Sequence, residues 1–321
     1  MNGIHDVRVP AGPQAAALFD LWNVMLVTCA VVFVAILVAL AIALWRAPRA
    51  TEQTAPDLAS HPRKEAALRR SVGYAIAASA VLLFVLLFAS FVADRAIATL
   101  PLDDAVHIDL IGHQFWWEAR YDPNDPARVF STANELHVPV GRPVLMRLRA
   151  DDVIHSFWVP SLAGKKDLIP GRESTMAFRA DLPGTYRGQC AEFCGYQHAH
   201  MALVVVADAP AVYDRWLALQ RQPAREPATA EEQRGRDLVE HASCAMCHTI
   251  AGTAAKGRRA PDLTHVGSRA WLAAGTLPNT AAARAHWIAD PQQYKPGVDM
   301  PPLAAAPTDL VAISAYLGSL Q

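Results

Sequence analysis

The apolar positions divide the chain into a membrane-like first third and a mixed remainder. Residues 21–44 and residues 72–92 form two runs without a charged side chain, each longer than 20 residues. About 20 apolar residues cross a bilayer as a helix. The runs therefore predict a hairpin of two transmembrane helices, over about residues 21–45 and 72–93, within a first domain of residues 1–98. A buried core helix is the alternative interpretation, but core helices are usually shorter and amphipathic.

The distribution of basic residues predicts how the hairpin is oriented. A signal peptide does not fit the first run, which is too long and is preceded by about twenty residues. Only Arg8 precedes that run, whereas the connection between the runs carries six basic residues, which are Arg46, Arg49, Arg63, Lys64, Arg69 and Arg70. Basic residues remain on the cytoplasmic side. We therefore expect a cytoplasmic connection, with both termini and everything after about residue 98 outside the cytoplasm.

Two further domains are predicted by the change in pattern after the hairpin. Residues 99–210 contain short apolar segments such as "AVHIDLIG", "PVLMRLRA" and "MALVVVA", separated by turn formers, which is typical of an all-β sandwich or barrel. Residues 211–230 are rich in proline, alanine and charge and predict a linker, with a short helix near residues 213–219. Residues 231–321 show the apolar spacing of short helices, and Thr308 is predicted to cap the last one.

Charge and cysteine content narrow the candidate chemistry. The chain has 29 basic and 30 acidic residues, so its net charge of −1 gives no general attraction to nucleic acid. Cys29 lies in the first membrane run and is interpreted as a small apolar side chain. The other four cysteines form two close pairs in a compartment where disulfides are possible.

The second pair lies in "CAMCH", which has the C-x-x-C-H pattern of c-type haem attachment. The thiols of Cys244 and Cys247 add to the haem vinyl groups, and His248 reaches the iron from one face. A chance match and a thioredoxin-like redox pair are the alternatives, but no βαβ pattern surrounds the motif. The surrounding segments "APDLTHVGSR" and "HWIADPQQYKPGVDMPPL" resemble a class I cytochrome c over about 90 residues.

A c-type haem needs a second axial ligand, and methionine raises its potential. Met300 lies in "GVDMPPL", where the prolines favour an extended loop that can face the haem. His265 and His286 are the alternatives. Met246 lies inside the attachment loop and is poorly placed for the iron. We therefore predict His248 and Met300 as the two axial ligands.

The first pair lies in "GQCAEFCGYQHAHM", residues 188–201. A disulfide would explain Cys190 and Cys194 but not the histidine and methionine on the same loop. Zinc seldom binds methionine, whereas thiolate, imidazole and thioether together favour copper in an electron-transfer site. Two cysteines suit a bridged pair of coppers, and each copper then needs one histidine. His198 supplies one, and His155 is the candidate for the other.

His155 followed by "CAEFCGYQHAHM" resembles the dinuclear copper A motif of cytochrome c oxidase subunit II. The two membrane helices, the β domain, "SLAGKKDLIPGRES" and "DLPGTYRGQC" are also similar to that family. The fused cytochrome makes the chain similar to the caa-type oxidases. The resemblance implies three parts: a transmembrane hairpin, an all-β cupredoxin-like domain and an all-α class I cytochrome c domain.

The resemblance also implies a role for each ligand. Cys190 and Cys194 would bridge both coppers, while His155 and His198 would each bind one. Two weak ligands would complete the centre, and these are Met201 and the backbone carbonyl of Glu192. The Glu192 carboxylate would help to bind magnesium at the boundary with subunit I. A rigid β scaffold would keep the rearrangement on reduction small.

Two positions depart from the family pattern. In "GHQFWWEARY", Phe115 stands where the family has the tryptophan at which an external cytochrome c is thought to deliver its electron. Trp116 and Trp117 are the candidates to replace it, with packing of the β core as the alternative. In "KEAALRRSVGY", Glu65 lies near the family's proton-path glutamate but out of register. A basic loop near the lipid headgroups is the other interpretation of that stretch.

The resemblance implies an electron-transfer subunit in the bacterial inner membrane. It would accept electrons from a soluble or membrane-bound cytochrome c-type donor through its own haem c. It would then pass them through copper A to the oxygen-reducing site of subunit I, with subunit III as a further partner. Two alternatives remain open: an electron-transfer subunit of a copper A nitric oxide reductase, and a membrane-tethered electron shuttle.

Overall fold

The computed structural model describes residues 5–47, 51, 53–55 and 62–321. Three of the six basic residues on which the predicted orientation rests are not fully described: Arg49 lies outside the described residues, as do the side chains of Arg63 and Lys64. The chain divides into two compact units. One comprises residues 17–99, and the other joins the N-terminal residues up to Ala16 to residues 100–321.

The first unit is built from helices α1 (Pro13–Arg46) and α2 (Pro62–Ala98). Their 18-residue apolar windows have mean hydropathies of 3.1 and 2.7, so both are long and apolar enough to cross a membrane. The predicted bounds of 21–45 and 72–93 were too short. The extra turns, "PQAAALFD" and "PRKEAALRR", are rich in helix formers and begin with proline, although they are not continuously apolar. The stretch around Glu65 is therefore helix rather than loop.

The β module contains ten strands arranged in two five-stranded sheets. They are β1 (Val106–His113), β2 (Trp116–Tyr121), β3 (Phe130–Ala133), β4 (Glu135–Pro139), β5 (Pro143–Ala150), β6 (His155–Trp158), β7 (Lys166–Leu168), β8 (Ser174–Arg179), β9 (Gly184–Cys190) and β10 (Ala202–Asp208). The sheet orders are β3-β2-β1-β5-β8 and β4-β10-β9-β6-β7. The pairs β1–β5 and β4–β10 are parallel, and the others are antiparallel. This confirms the predicted cupredoxin-like β domain.

The core of the β module lies between the two sheets. On β5 the buried Val144, Met146 and Leu148 alternate with more exposed positions, as expected for a strand with one face on a core. Trp117 and Phe157 are fully buried, and their rings meet edge to face at 6.4 Å. Aromatic pairs of this kind favour the edge-to-face arrangement. The rigid core extends directly to the end of the second sheet, where the candidate ligands lie.

The N-terminal arm, residues 5–16, packs along the β module. The amide of Ala11 donates to the carbonyl of Ser161 at 2.7 Å, and the carbonyl of Ala11 accepts from the amide of Asp181 at 2.7 Å. A Cβ on Gly12 would lie 2.2 Å from the carbonyl oxygen of Arg179, so only glycine fits at this approach. The arm is therefore an integral part of the β module.

A helix occupies the first half of the predicted linker. Helix α3 (Pro210–Gln220) begins with proline and places Tyr213 in the β core. Trp216 stacks on His137 of β4, with ring centroids 4.3 Å apart. Only residues 221–229 remain without regular structure. The connection to the last domain is thus shorter than the sequence indicated.

The last domain is helical, as predicted. Its helices are α4 (Ala230–His241), α5 (Cys244–Cys247), α6 (Ala281–Ala289), α7 (Pro291–Tyr294) and α8 (Pro307–Ser319), with a small hairpin of β11 (Trp271–Leu272) and β12 (Leu277–Pro278). The prediction that Thr308 caps α8 was wrong. Ala306 occupies the cap position and Pro307 begins the helix, where its missing N–H is not needed. Thr229 instead caps α4, accepting from the amide of Glu232 at 3.1 Å.

Candidate functional site

Six candidate ligands of the first motif converge at one end of the second sheet. His155 begins β6, Cys190 ends β9, and Met201 lies immediately before β10. Cys194, His198 and the carbonyl of Glu192 lie on the β9–β10 loop, residues 191–201. The neighbouring strands β6 and β9 pair Phe157 with Cys190, which brings the distant His155 to the loop.

The distances show one compact cluster. The Cys190 and Cys194 sulfurs are 3.9 Å apart, and His155 Nδ1 lies 3.9 Å from the Cys190 sulfur. The Cys194 sulfur is 3.7 Å from His198 Nδ1 and 3.7 Å from Met201 Sδ. The carbonyl oxygen of Glu192 lies 3.2 Å from the Cys190 sulfur. His198 is half-buried, and the four ligand residues His155, Cys190, Cys194 and Met201 are buried.

This geometry fits a metal centre better than a disulfide. The sulfur separation of 3.9 Å is far beyond the length of a disulfide bond, and both cysteines are free. The donor atoms of His155, Cys190 and Cys194 all lie within 4.8 Å of one another. Thiolates, imidazoles and a thioether are soft donors that suit copper.

The two cysteine side chains shift each other's pKa in opposite directions. A hydrogen bond from the Cys194 thiol lowers the pKa of Cys190, with a further contribution from His155. The same interaction with an ionised Cys190, together with burial, raises the pKa of Cys194. A buried pair of ionised sulfurs needs a cation to compensate their charge, and a bound metal ion replaces the proton.

Supporting residues orient the imidazole of His155. Its Nε2 lies 2.7 Å from a carboxylate oxygen of Asp152, which leaves Nδ1 facing Cys190. Burial opposes protonation, but the hydrogen bonds to Asp152 and Cys190 outweigh it and raise the pKa of His155. On β1, Gly112 leaves room for the ring, because a Cβ there would lie 2.7 Å from His155 Cδ2. Such contacts fix a metal ligand before the metal binds.

The carboxylate of Glu192, predicted to bind magnesium, points away from the cluster. It is partly exposed and lies 3.8 Å from the Lys165 ammonium. His200, to which the sequence assigned no role, is exposed, and its Nδ1 lies 2.9 Å from Gln197 Oε1. Neither side chain enters the cluster of candidate copper ligands.

The two candidate electron-path tryptophans lie in different environments. Trp117 is fully buried, and its indole N–H donates to the carbonyl of Met201 at 3.4 Å. Its ring centroid is 5.9 Å from that of His155. Trp116 instead stacks on His113 at 4.3 Å. Phe115 is buried, and its carbonyl accepts a hydrogen bond from Lys295 of the last domain at 2.9 Å.

The haem-attachment motif forms the single turn α5 and the residue after it. His248 Nδ1 donates to the carbonyl of Pro261 at 2.7 Å, so Nε2 is the nitrogen left for iron. Burial lowers the pKa of His248, which keeps the imidazole neutral, as a metal ligand must be. Cys244 and Cys247 are free and half-buried. The motif thus fits covalent haem with histidine ligation.

Met300 is better placed than the alternatives to be the second axial ligand. It is half-buried against the apolar core of this domain, whereas Met246 is 71% exposed. Both ring nitrogens of His265 face backbone carbonyls, at 3.0 and 3.1 Å, and His286 is exposed. The histidine alternatives are therefore already engaged or on the surface.

Sequence reasoning missed the residues that support the ligands. The sequence assigned no role to Asp152, Gly112 or Lys295, although Gly112 and Lys295 lie in stretches that resemble the families. Gly112 contacts His155 from the other sheet, and Lys295 contacts the β module from the last domain. The one local signal was the aspartate three residues before His155 in "DDVIH", since such a carboxylate can orient a histidine.

Two family models match the β module and the last, helical domain. One, described as the periplasmic domain of cytochrome c oxidase subunit II, matches residues 123–208. The other, described as cytochrome c, matches residues 232–321. These ranges contain the β9–β10 loop and the haem-attachment motif, respectively.

Curated relatives match a larger share of the chain than either family model does. Cytochrome c oxidase subunit 2 of Alkalihalophilus pseudofirmus is 38% identical over 220 residues, covering 68% of this chain and 62% of the relative. The Bacillus subtilis protein of the same name is 30% identical over 235 residues, covering 68% and 63%. The chain thus spans a little under two thirds of the length of these relatives. The solved periplasmic domain of subunit II of cytochrome oxidase from Bradyrhizobium japonicum is 27% identical, with a TM-score of 0.35, covering 38% of this chain and 97% of that one.

Proposed function

We propose that this chain is a member of the cytochrome c oxidase subunit II family and that it carries electrons from a cytochrome c-type donor to the oxygen-reducing site of a separate subunit I. In this proposal, electrons pass first through the haem c of the chain and then through a dinuclear copper A centre. The observation that carries the proposal is the convergence of six candidate copper ligands in the β module, within the same compact unit as the haem-attachment motif.

The copper would be held by His155, Cys190, Cys194, His198, Met201 and the carbonyl of Glu192. When bound, it supplies a one-electron store shared between two metals and two sulfurs. The protein holds the ligands rigidly and keeps water away from the metal site. Asp152 holds the imidazole of His155, and Trp117 donates to the backbone at Met201, so the ligands are fixed from both sides of the loop. Burial of the sulfurs excludes water.

The haem would be attached through Cys244 and Cys247 and ligated by His248 and Met300. Pro261 orients His248 so that Nε2 is available, and the apolar core around Met300 excludes water. Methionine ligation would raise the potential of the haem and suit it to electron transfer. Glu192 would add a magnesium ligand at the boundary with subunit I, where its carboxylate is partly exposed.

The position of the N-terminal arm on the β module favours two membrane crossings rather than one. Because the arm is hydrogen-bonded to the β module, both must lie on the same side of the membrane. Two spans, α1 and α2, satisfy this requirement, whereas one would not. We infer that the arm, the β module and the last, helical domain lie in the periplasm of a bacterial inner membrane, with subunits I and III and the lipid bilayer as partners.

Purification of the full chain from native membranes tests the proposal. We expect two coppers and one haem c per chain, together with a large partner that consumes oxygen. Copper, haem c and oxygen consumption are measured on the same sample. One copper per chain, or the lack of an oxygen-consuming partner, would contradict the proposed function.

The substitution His155→Asn tests the ligand assignment. We expect the variant to lose the copper centre, because His155 is the ligand contributed from outside the loop, while haem c stays reducible. His200→Asn is the matched control, since His200 is exposed and outside the cluster. Metal analysis and the optical spectra of both variants give the result. Wild-type copper content in His155→Asn would show that the ligand set is wrong.

A further inference from the structure

The last, helical domain, residues 230–321, is called the cytochrome c module below. It meets the β module around the β9–β10 loop. The side chain of Gln197, on this loop, donates from Nε2 to the carbonyl of Pro296 at 2.8 Å. The amide of Ala202, just after the loop, donates to the carbonyl of Ala274 at 3.1 Å. Lys295 donates to the carbonyl of Phe115 from the same side. These three contacts between the modules therefore lie around the β9–β10 loop and Phe115.

Lys295 anchors this contact from the cytochrome c module. Its side chain is 2% exposed, and Nζ donates to two carbonyls, those of Phe115 at 2.9 Å and Ala273 at 3.3 Å. Burial lowers the pKa of Lys295 to about 7, and negative charge on Cys194 opposes that shift. A buried ammonium is costly unless hydrogen bonds hold it in place. Lys295 therefore fixes one module on the other at the edge of the metal centre.

Gln197 makes the contact from the β module. It is 6% exposed, and both ends of its amide are engaged, Nε2 with Pro296 and Oε1 with His200 Nδ1. The next residue in the chain is the candidate copper ligand His198. A single hydrogen bond thus joins the backbone of the cytochrome c module to the residue beside that ligand.

The segment 295–300 connects this contact to the candidate haem ligand. Gln292 holds the segment through three hydrogen bonds: its Oε1 accepts from the Gly297 amide at 2.8 Å, and its Nε2 donates to the carbonyls of Val298 at 2.8 Å and Met300 at 3.1 Å. Val298 also packs against the core of the β module. The segment is therefore held at both ends.

We propose that Gln197 and Lys295 are positioning residues that fix the segment 295–300 against the β9–β10 loop and so couple Met300 electronically to His198. This inference rests on the proposed function. One electron leaves the haem, whose iron changes from ferrous to ferric, and reduces the copper pair by one electron. No covalent bond changes, and neither Gln197 nor Lys295 gains or loses a proton. The rate of electron tunnelling falls faster across a gap between atoms than along bonds. The hydrogen bond from Gln197 to Pro296 is therefore expected to raise the transfer rate.

The position of Phe115 agrees with this route. The carbonyl of Phe115 accepts a hydrogen bond from Lys295, and the side chain of Phe115 is buried. The cytochrome c module thus covers the position at which the family has its tryptophan. Trp117 reaches the loop from inside the β core and is fully buried. The segment 295–300 instead reaches the loop from the module that would carry the haem.

The test compares Gln197→Met with Gln189→Met in the full chain within its native complex. The side chain of Gln189, on β9, donates from Nε2 to the carbonyl of Ala199 on the β9–β10 loop at 3.4 Å, within the β module. After photoreduction of haem c, the rate of electron transfer to copper is followed optically. We expect Gln197→Met to slow this rate about tenfold, with unchanged copper content, haem content and reduction potentials. Gln189→Met should match the wild type.

Hydrogen exchange supplies a second measurement, which does not depend on activity. Lys295→Met removes the buried ammonium but keeps a long side chain, and we expect faster exchange at the Ala202 amide, also in the metal-free chain. A wild-type transfer rate in Gln197→Met, or unchanged exchange in Lys295→Met, overturns this inference alone. A wild-type chain with both cofactors but no transfer between them overturns this inference and the proposed function together.

Discussion

At the scale of single residues, metal binding depends on the space left beside a ligand as well as on the ligand itself. The ring of His155 occupies the room that a side chain on Gly112 would need, and Asp152 fixes the direction of the ring. Neither Gly112 nor Asp152 supplies a donor atom to the cluster. Metal affinity at such a site depends on these neighbours, because they hold the ligand where the metal requires it.

We predict that Gly112→Ala weakens copper binding about tenfold or more, because the new methyl group must displace the imidazole of His155. The added Cβ would stand 2.7 Å from that ring. Copper content after dialysis against a graded chelator measures the effect. Gly73→Ala is the control, since a Cβ at Gly73 meets nothing within 4 Å. Equal copper retention in both variants would contradict the prediction.

The sequence predicted the ligands but not their supports, and the reason is physical. Cys190, Cys194, His198 and Met201 lie within twelve consecutive residues, 190–201, so their spacing alone indicates a shared site. The contact between Gly112 and His155 joins β1 to β6, strands in different sheets. Contacts of that kind depend on how the sheets pack, and no local pattern in the sequence records them.

At the scale of elements, the sequence predicted the kinds of element better than their ends. The apolar runs marked the centres of α1 and α2, but the polar turns at their N-termini carry no hydropathy signal. Cap positions were also missed where proline rather than a hydroxyl begins the helix, as at α8.

The closest approach between two helices of the cytochrome c module gives an element-scale prediction. Gly235 of α4 lies against α8, and a Cβ there would be 2.1 Å from the carbonyl oxygen of Ala312. We expect Gly235→Ala to force the helices apart and destabilise the module by about 1–3 kcal/mol. Thermal unfolding followed by haem absorbance measures the change. Gln233→Ala, on the exposed face of α4, should unfold close to the wild-type temperature; an equal shift in both would refute the steric argument.

At the scale of the whole molecule, the proposed function places an electron donor and its acceptor in one chain, with their modules in contact. The contacts at Lys295 and Gln197 are buried, so the surrounding salt screens them little. Delivery from an external donor to the exposed surface depends instead on charge attraction, which salt weakens. The two steps should therefore respond differently to ionic strength.

We predict that the rate of transfer from haem c to copper changes less than about twofold between about 0.05 and 0.5 M salt. Over the same range, reduction of haem c by a soluble charged donor should slow markedly. Flash photoreduction measures the first rate, and stopped-flow mixing measures the second. A steep loss of the internal rate with salt would mean that the modules separate and redock during turnover.

The N-terminal arm has a consequence for how the chain is made. Residues 5–16 are synthesised before the strands that receive them, and their hydrogen-bond partners around Ser161 and Asp181 follow only after both helices. With both helices spanning the membrane as proposed, the arm must reach the side of the β module before its docking site has been made. Its one basic residue, Arg8, pairs with Asp6, which leaves little charge to oppose the passage. The arm is therefore synthesised first but docks only after residues 161–181 have been made.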